Sequence, residues 1–266
     1  MRKPRNIAIA GAGIGGLTVA ALLADQDHCV SVFDQFDAPK PVGSGLVLQP
    51  VGQAVLDQIG AGDRARALGT PIKRMLGHET DNNRKVLNVW YDQRDDGRYG
   101  LAIHRASLFD AIYAAAQSRD ITFQSGSRII GRDGQSLTLD KGQTTAPFDL
   151  IIDAAGAASP LSPFQSKPLP YGAIWGTVDW PDTDLPMNQL TQAYRKADRM
   201  IGALPIGKLP GDDTQKAAIF WSMPRDAHTT WTNAGLDAWK AAATALWPAF
   251  APFTDQITAP AQLPMA

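Results

Sequence analysis

The chain has 266 residues, of which 44% are hydrophobic and 19% are charged, as in an ordinary folded protein with one large domain or two interleaved ones. Its 25 lysine and arginine residues nearly balance its 26 aspartate and glutamate residues, so the charge gives no indication of nucleic-acid binding or of a charged tail. One cysteine, four histidines without metal-ligand spacing and no apolar run of membrane-spanning length predict a cytoplasmic protein without an internal disulfide, a metal site or an integral membrane segment.

The first 34 residues predict a strand, a turn, a helix and a second strand. Ile7 to Ala10 form a short apolar run, a glycine-rich turn follows, and a helix extends through Leu17 and Leu23. The run from Cys29 to Phe33 predicts the second strand, in which we expect Cys29 to be a small buried residue. This order of elements is typical of a parallel βαβ unit.

The next part of the chain, up to residue 120, alternates loops with short elements. A loop rich in proline and glycine covers residues 35–50, with a short strand at 46–48, and a helix is predicted over 51–59, closed by Gly60. Short strands are predicted over 86–91 and 101–103. The spacing from Ser107 to Asp110 predicts a capping box that opens another helix.

Short strands dominate the remainder. Residues 121–153 predict a small antiparallel meander that returns to a buried parallel strand at Leu150 to Ile152, with turns at Asp133-Gly134 and Lys141-Gly142. Between residues 166 and 233 we expect alternating strands, and apolar positions from Leu236 to Trp247 predict an amphipathic helix. The strands predicted in these two regions cover 121–124, 127–131, 136–140, 148–153, 173–178, 200–204 and 217–221.

The glycine-rich turn carries the sharpest motif. Gly11 to Gly16 match G-x-G-x-x-G, in which the first glycine allows a tight turn, the second lets the backbone approach a pyrophosphate, and the third lets helix and strand pack closely. Asp34 follows Gly16 by 18 positions (34 − 16), where an acid would accept hydrogen bonds from a ribose and repel a 2′-phosphate. The unit therefore predicts a site for the ADP half of a dinucleotide, and FAD is favoured over NAD(P) as that dinucleotide. The alternative is that the glycines serve packing and the acid is merely solvated.

Further segments, in order, resemble the FAD-dependent aromatic-ring hydroxylases, the family of para-hydroxybenzoate hydroxylase. The resemblance spans nearly the whole chain, and only the glycine motif is specific by itself. It rests on residues 7–16, 32–34, 43–50, 105–108 and 149–156 with Ser159, and on Tyr194-Arg195 and 204–207.

The resemblance implies an α/β fold in which a Rossmann-like FAD-binding domain is interleaved with a substrate domain built on a mixed or antiparallel sheet. The FAD-binding parts would be residues 1–70 and 101–165, and the substrate parts 71–100 and 166–266. The implied activity is that of a monooxygenase that uses FAD, NAD(P)H and O2 to hydroxylate an aromatic or similar organic substrate through a flavin C4a-hydroperoxide. Neither the substrate nor the oligomeric state is implied.

The same resemblance implies roles for individual residues. It places Gly11, Gly13, Ile14 and Gly15 near the pyrophosphate and Asp34 on the adenosine ribose, with Gly16 completing the motif. The backbone of Gly45 and Leu46 would lie beside the flavin or its ribityl chain, Arg105 would face the FAD phosphates, and Gly156 belongs to the second fingerprint of the family.

No residue is predicted as a catalytic base. His104, beside Arg105, is the most suggestive histidine, although a structural role is favoured for it. Trp175, Trp221 and Tyr194 fall on predicted substrate-domain strands, where they line a pocket or, as we favour, pack in a core.

Three departures from the family pattern leave alternatives open. Gln35 follows Asp34 where the family commonly has arginine, and Ala155 and Ser162 replace an aspartate and an arginine of the second fingerprint, which lowers the expected use of NAD(P)H. The later Gly-Asp-Ala-Ala-His fingerprint has no match before Ala266, so we expect a fragment or a truncated product. The alternatives are a non-catalytic remnant that binds FAD or another dinucleotide, and an NAD(P)-dependent dehydrogenase, which would need further βαβ repeats early in the chain.

Overall fold

Separate stretches of the chain combine into two compact units. The computed structural model describes residues 3–37, 44–93, 96–140 and 142–265. Gly43 and Lys141, which the sequence patterns include, lie outside these ranges. Unit 1 consists of Met1–Val42, Ala54–Arg64 and Leu108–Lys167, and unit 2 of Gly43–Gln53, Ala65–Ser107 and Pro168–Ala266.

The elements are numbered in chain order. The strands are β1 (Asn6–Ala10), β2 (Cys29–Phe33), β3 (Gly45–Leu48), β4 (Thr70–Ile72), β5 (Arg74–Glu79), β6 (Lys85–Trp90), β7 (Gly100–His104), β8 (Ile121–Gln124), β9 (Ile129–Asp133), β10 (Ser136–Leu139), β11 (Leu150–Asp153), β12 (Tyr171–Asp179), β13 (Gln189–Arg195), β14 (Arg199–Gly207) and β15 (Lys216–Pro224). The helices are α1 (Ile14–Ala24), α2 (Pro50–Gln58), α3 (Gly62–Leu68), α4 (Arg105–Gln117), α5 (His228–Ala234), α6 (Leu236–Leu246) and α7 (Ala251–Thr254).

Unit 1 is built on a parallel sheet with the strand order β11-β1-β2-β8. The helix α1 connects β1 to β2, which confirms the predicted βαβ unit. Ile7, Ile9 and Leu17 are fully buried, as expected for a parallel strand that is apolar on both faces and for the helix that covers it. The structure thus has the predicted α/β fold class, with a Rossmann-like parallel sheet and a separate multistranded sheet.

Three predictions within unit 1 are wrong. The strand β8 does not belong to a meander, because it pairs parallel to β2. The strands β9 and β10 do form a hairpin, with Gly134 in the turn at φ +56°, and Thr144 makes a further antiparallel bridge to Thr138 of β10. The strand β11 is an edge strand, and Leu150 is 41% exposed instead of buried. Cys29 is exposed because it is the first residue of β2, where the strand leaves the core.

Unit 2 is built on a six-stranded mixed sheet with the strand order β12-β15-β14-β13-β5-β6. Neighbouring strands are antiparallel except β13 and β5, which are parallel. One face packs against side chains from the C-terminal helices, including Trp239, Phe250 and Phe253. A smaller sheet, β3-β7-β4, contributes to a second cluster in which Ile72 and Ala102 pack against residues of β14 and β15.

The predicted helices over 51–59 and 236–247 are confirmed as α2 and α6, whereas α3 and α5 were not predicted. The capping box is wrong, because α4 begins at Arg105 and Ser107 lies inside its first turn. The Ser107 side chain is fully buried and its hydroxyl donates a hydrogen bond to the Lys208 carbonyl at 2.6 Å. Among the described residues, no helix has the length and apolar character needed to cross a membrane.

The compact units and the predicted domains differ in their bounds. Residues 43–53, 65–70 and 101–107 belong to unit 2, although the sequence assigned them to the cofactor domain. The assignment of one domain to FAD and of the other to substrate stays a prediction.

Candidate dinucleotide site

The glycine turn joins β1 to α1 under tight steric limits. Gly11 has φ +99°, and its N–H donates to the Phe33 carbonyl at 2.7 Å. A Cβ on Gly11 would lie 2.6 Å from the Ala154 carbonyl oxygen, and a Cβ on Gly16 would overlap the Gly11 carbonyl oxygen. Both positions therefore require glycine for the turn and for the close approach of helix and strand.

The other two glycines of the turn, Gly13 of the motif and Gly15 at one of its variable positions, border open space instead. A Cβ on Gly13 or on Gly15 would meet no other atom within 4 Å. The helix α1 begins at Ile14, and its N-cap residue Gly13 has no side chain to cap it. The first-turn N–H groups are thus left for a ligand, and bare backbone beside them fits an approaching pyrophosphate.

Asp34 lies directly after β2 and reaches the glycine turn. One carboxylate oxygen accepts the Ala12 N–H at 2.7 Å, and the other accepts the Phe36 N–H at 3.0 Å. These bonds hold the carboxylate beside the turn, and an ionised carboxylate has further lone pairs that can accept ribose hydroxyls. The structure thus brings Asp34 together with Gly11 to Gly16, as the motif spacing predicts.

A cavity of about 370 Å³ lies next to this turn. Gly11, Phe33 and Asp34 line it on one side, and its volume is within the range of small-molecule sites. The other lining residues are Ala10, Gln35, Ser127, Arg128, Ile129, Ile130, Ala155, Ala158, Pro160 and Leu161. Sequence reasoning missed the residues from 127 to 130, since no local motif marks a hairpin that reaches the site only through the fold.

The loop after β11 carries the segment that resembles the second fingerprint of the family. Gly156 has φ +83°, a backbone conformation that favours glycine. Ala155 lines the cavity but carries no charge. The carboxylate of this loop comes from Asp153, whose Oδ1 accepts the Ser159 hydroxyl at 2.7 Å and the Ala155 N–H at 3.1 Å. Asp153 therefore stabilises the loop itself.

Gly45, Leu46 and Arg105 belong to unit 2 and form a second group of predicted site residues. Gly45 pairs with His104 across β3 and β7, and a Cβ on Gly45 would overlap the Ile206 side chain. Leu46 is half-buried on the same strand. Arg105 is exposed at the start of α4, and its N–H donates to the Ser44 carbonyl at 3.0 Å. The close approach of the Ile206 side chain thus explains why residue 45 is glycine. The Arg105 side chain remains exposed to solvent.

His104 has a structural role. Its Nδ1 accepts the Ala106 N–H at 3.0 Å, so the neutral ring carries its proton on Nε2. Burial lowers the pKa of this imidazole below its ordinary value. A neutral His104 therefore satisfies a backbone donor in the first turn of α4.

The three aromatic residues predicted on substrate-domain strands separate into two environments. Trp221 is buried in the core that contains Trp239 and Phe253, which confirms core packing for this residue. Trp175 lies beside Phe220, with 4.8 Å between the ring centroids. The Tyr194 hydroxyl donates to Gln192 Oε1 at 2.8 Å, and burial raises the pKa of this phenol.

Comparison with known proteins gives similarities of sequence and of fold. A family model described as an NAD(P)-binding Rossmann-like domain matches residues 9–39. The chain is 31% identical over 159 residues to 3-amino-4-hydroxybenzoate 2-monooxygenase of Streptomyces cremeus, a match that covers 58% of this chain and 40% of that protein. It is also 31% identical over 189 residues to the FAD-dependent monooxygenase pynG of Aspergillus niger, with 66% of this chain and 43% of that protein covered.

The fold is similar to that of 2-methyl-3-hydroxypyridine-5-carboxylic acid oxygenase, with a TM-score of 0.79 at 20% identity over 96% of this chain and 67% of the other. The sequence relatives confirm the resemblance to FAD-dependent hydroxylases and monooxygenases. The chain spans less than half the length of these two sequence relatives.

Proposed function

We propose that the protein is a FAD-dependent monooxygenase that uses NAD(P)H and O2 to hydroxylate a small aromatic or similar organic substrate. One observation carries the proposal: the uncapped first turn of α1 and the Asp34 carboxylate meet at the same edge of the parallel sheet. The similarity to FAD-dependent monooxygenases supports FAD as the dinucleotide. A cytoplasmic location is part of the proposal, because NAD(P)H is the assumed reductant.

In this proposal the residues of the chain bind and orient the cofactor. The N–H groups from Gly13 to Gly16 receive the pyrophosphate, and Asp34 accepts the hydroxyls of the adenosine ribose. When bound, FAD supplies the transfer of electrons from NAD(P)H to O2 and the insertion of oxygen into substrate. The proposed cofactor residues of unit 1 are Gly11, Gly13, Ile14, Gly15, Gly16, Asp34 and Gly156. The roles that the resemblance gives to Gly45, Leu46 and Arg105 of unit 2 stay predictions.

The charge of Asp34 specifies which dinucleotide fits. A fixed carboxylate at the ribose favours free hydroxyls and repels a 2′-phosphate. Gln35, directly after Asp34, is neutral; Arg128 also lines the cavity and is positively charged, but its side chain is exposed. We therefore expect FAD and ADP to bind in preference to 2′-phospho-ADP.

A titration of the purified protein with FAD tests the proposal, with Asp34→Asn as the variant. The expected loss of FAD affinity is about tenfold or more, because a charged acceptor is replaced by a neutral amide. Asp149→Asn is the matched control: its carboxylate also accepts a backbone N–H, from Asn6 at 2.7 Å, but at the other end of the same sheet. A protein that binds no FAD, or an Asp34→Asn variant that binds it unchanged, contradicts the proposal.

A second candidate is a protein that binds FAD or another dinucleotide without turnover. Ala155 favours it, since the family resemblance expects a carboxylate there. Anaerobic mixing of the FAD-loaded protein with NADH or NADPH separates the two candidates, because only a monooxygenase loses the absorbance of oxidised flavin. The dehydrogenase alternative is weaker, because after β2 the chain continues into β3 of unit 2 and not into another βαβ repeat.

A further inference from the structure

The six-stranded sheet of unit 2 has one face that the helical core does not use. Side chains alternate between the two faces of a strand. Ile174, Ala193 and Trp221 pack in the helical core, so their neighbours Trp175 and Gln192 point to the other face. We call this other face the polar sheet face; it is defined by Trp175, Gln192, Tyr194, Met200 and Phe220.

Two glycines allow aromatic rings to lie on the polar sheet face. A Cβ on Gly77 would lie 2.5 Å from Tyr194 Cε2, and a Cβ on Gly202 would overlap the Phe220 ring. Phe220 in turn contacts Trp175, with an angle of 34° between the ring planes. The two rings nearest the strands thus rest against bare backbone, which gives a flat aromatic surface on both sides of Gln192.

Gln192 is the polar centre of this surface, and its amide is poorly paired. The side chain is only 8% exposed. Its Oε1 accepts the Tyr194 hydroxyl, whereas its Nε2 faces Met200 Sδ at 3.6 Å. A thioether is a weak acceptor without a hydrogen to donate, so the amide nitrogen must be the group that faces it. Among the described residues, no oxygen accepts from this buried donor, which is costly.

Met200 is suited to give way to a better acceptor. Its side chain is half-buried and lies across from Tyr194 in the β13–β14 register. An unbranched thioether changes rotamer easily and packs well against aromatic rings. A ligand oxygen could therefore replace the sulfur on the Gln192 amide while the ring of the ligand lies against the partly exposed Tyr194 ring.

The charges around this surface disfavour an anion. The strand segments 173–178, 190–194, 200–206 and 218–222 contain no lysine or arginine. Arg199, at the start of β14, stacks on Trp221 of the opposite face, with its guanidinium carbon 4.4 Å from the ring centroid. Glu79 pairs in register with Tyr194 and is buried, and its carboxylate forms an ion pair with the Arg84 guanidinium at 3.9 Å, so Arg84 is already occupied by a carboxylate.

We propose that the polar sheet face binds an uncharged aromatic compound, whose carbonyl or phenol oxygen accepts the Gln192 amide N–H in place of Met200 Sδ. A neutral amide on strand segments without lysine or arginine offers no partner for the charge of an aromatic carboxylate. Assigning this ligand as the substrate of hydroxylation rests on the proposed function, whereas its binding does not.

The test compares 3-hydroxybenzamide with 3-hydroxybenzoate, two compounds that share the ring and the hydroxyl and differ in charge. Each is titrated into the purified protein, with and without FAD, and binding is followed by the fluorescence of Trp175 and the other tryptophans. We expect the benzamide to bind at least about tenfold more tightly than the benzoate. Equal affinities, a preference for the benzoate, or no saturable binding of either compound overturns the proposal.

Gln192→Leu should weaken benzamide binding by about tenfold or more and remove the preference between the two compounds. Gln189→Leu is the matched control, because Gln189 lies on the same strand, is also 8% exposed and points to the opposite face. An equal loss in both variants contradicts the role of Gln192. The wild-type comparison holds even where a variant fails to fold, and a failure to bind FAD counts against the proposed function alone.

Discussion

Gly15 and Gly16 are neighbours in the first turn of α1, yet a methyl group would have opposite effects at the two positions. At Gly16 it would overlap the Gly11 carbonyl, whereas at Gly15 it would meet nothing. We expect Gly16→Ala to lower the free energy of unfolding by about 1–3 kcal/mol through overpacking. Gly15→Ala should leave it unchanged or raise it by about 0.5–1 kcal/mol, because alanine favours helix.

We also expect Gly15→Ala and Gly16→Ala to differ in their affinity for FAD. The Gly15 methyl group would occupy the space through which a pyrophosphate approaches, so Gly15→Ala should weaken FAD binding in a stable protein. Urea unfolding and FAD titration of both variants measure the two effects separately. A Gly15→Ala variant that binds FAD as the wild type does would place the phosphates elsewhere.

The imidazole of His104 makes stability depend on pH. Its pKa in the folded protein is lowered by burial, below the ordinary value of 6.5. The stabilisation is therefore present above about pH 6.5 and is lost as the pH falls through the lower, folded value. Protonation would also remove the acceptor of the Ala106 N–H.

His104→Asn keeps an acceptor for that N–H and removes the titration. We expect the variant to lose less unfolding free energy than the wild type between about pH 7.5 and about pH 5, as measured by urea denaturation. Parallel pH profiles for the two proteins would show that His104 does not contribute.

Part of the candidate site could be predicted from single residues. Gly11, Gly16 and Asp34 were identified because their requirements are local: a tight turn, a close approach and an acid at a strand end. Arg128 and Ile129 were missed, since the hairpin that carries them reaches the cavity only through the fold. The exposure of Cys29 was missed for a related reason, because burial at a strand end depends on what covers it.

At the scale of elements, the residue at which α4 begins decides between two roles for the Ser107 side chain, a helix cap and a buried hydrogen bond. In a capping box, Ser107 and Asp110 would act together at the helix end. In the structure, Ser107 satisfies the Lys208 carbonyl, and Asp110 forms an exposed ion pair with Arg64 at 2.6 Å. Ser107→Ala should therefore destabilise the protein by about 1–3 kcal/mol, and Asp110→Ala by less than about 1 kcal/mol.

Thermal and urea unfolding of both variants measures this difference. Equal losses in the two variants would favour the capping box after all. A much larger loss for Ser107→Ala supports the buried hydrogen bond to the Lys208 carbonyl.

Elements with a strong local pattern could be predicted, whereas their partners could not. The apolar spacing of α6 and the alternation of β12 and β15 gave correct elements. The parallel pairing of β8 with β2 was missed, because a short strand does not encode which neighbour it joins. The helix α3 was missed because its sequence, from Gly62 to Leu68, has too few apolar residues for a clear periodicity.

At the scale of the molecule, tryptophan fluorescence reports on the unfolding of unit 2. All seven tryptophans, at positions 90, 175, 180, 221, 231, 239 and 247, lie within the ranges of unit 2. Phe253 is fully buried there and contacts Phe250 and Trp180. Phe253→Ala should lower the unfolding free energy seen by tryptophan fluorescence by about 3–5 kcal/mol.

Leu169→Ala removes a large apolar side chain from a position of unit 2 that is 72% exposed and serves as the control. We expect its unfolding transition to stay within about 0.5 kcal/mol of the wild type. A Phe253→Ala variant as stable as this control would contradict the described core.

The parallel pairing of β5 with β13 has a consequence for the protein while it is being made. The two strands begin 115 residues apart (189 − 74), which a ribosome needs roughly ten seconds to add at about 5–20 residues per second. All segments of unit 1 precede residue 168, so its parallel sheet can close while β12 to β15 are still being translated. During that interval β5 lacks its partner β13, so the backbone N–H and C=O groups along that edge of β5 are unpaired and open to aggregation and to chaperones.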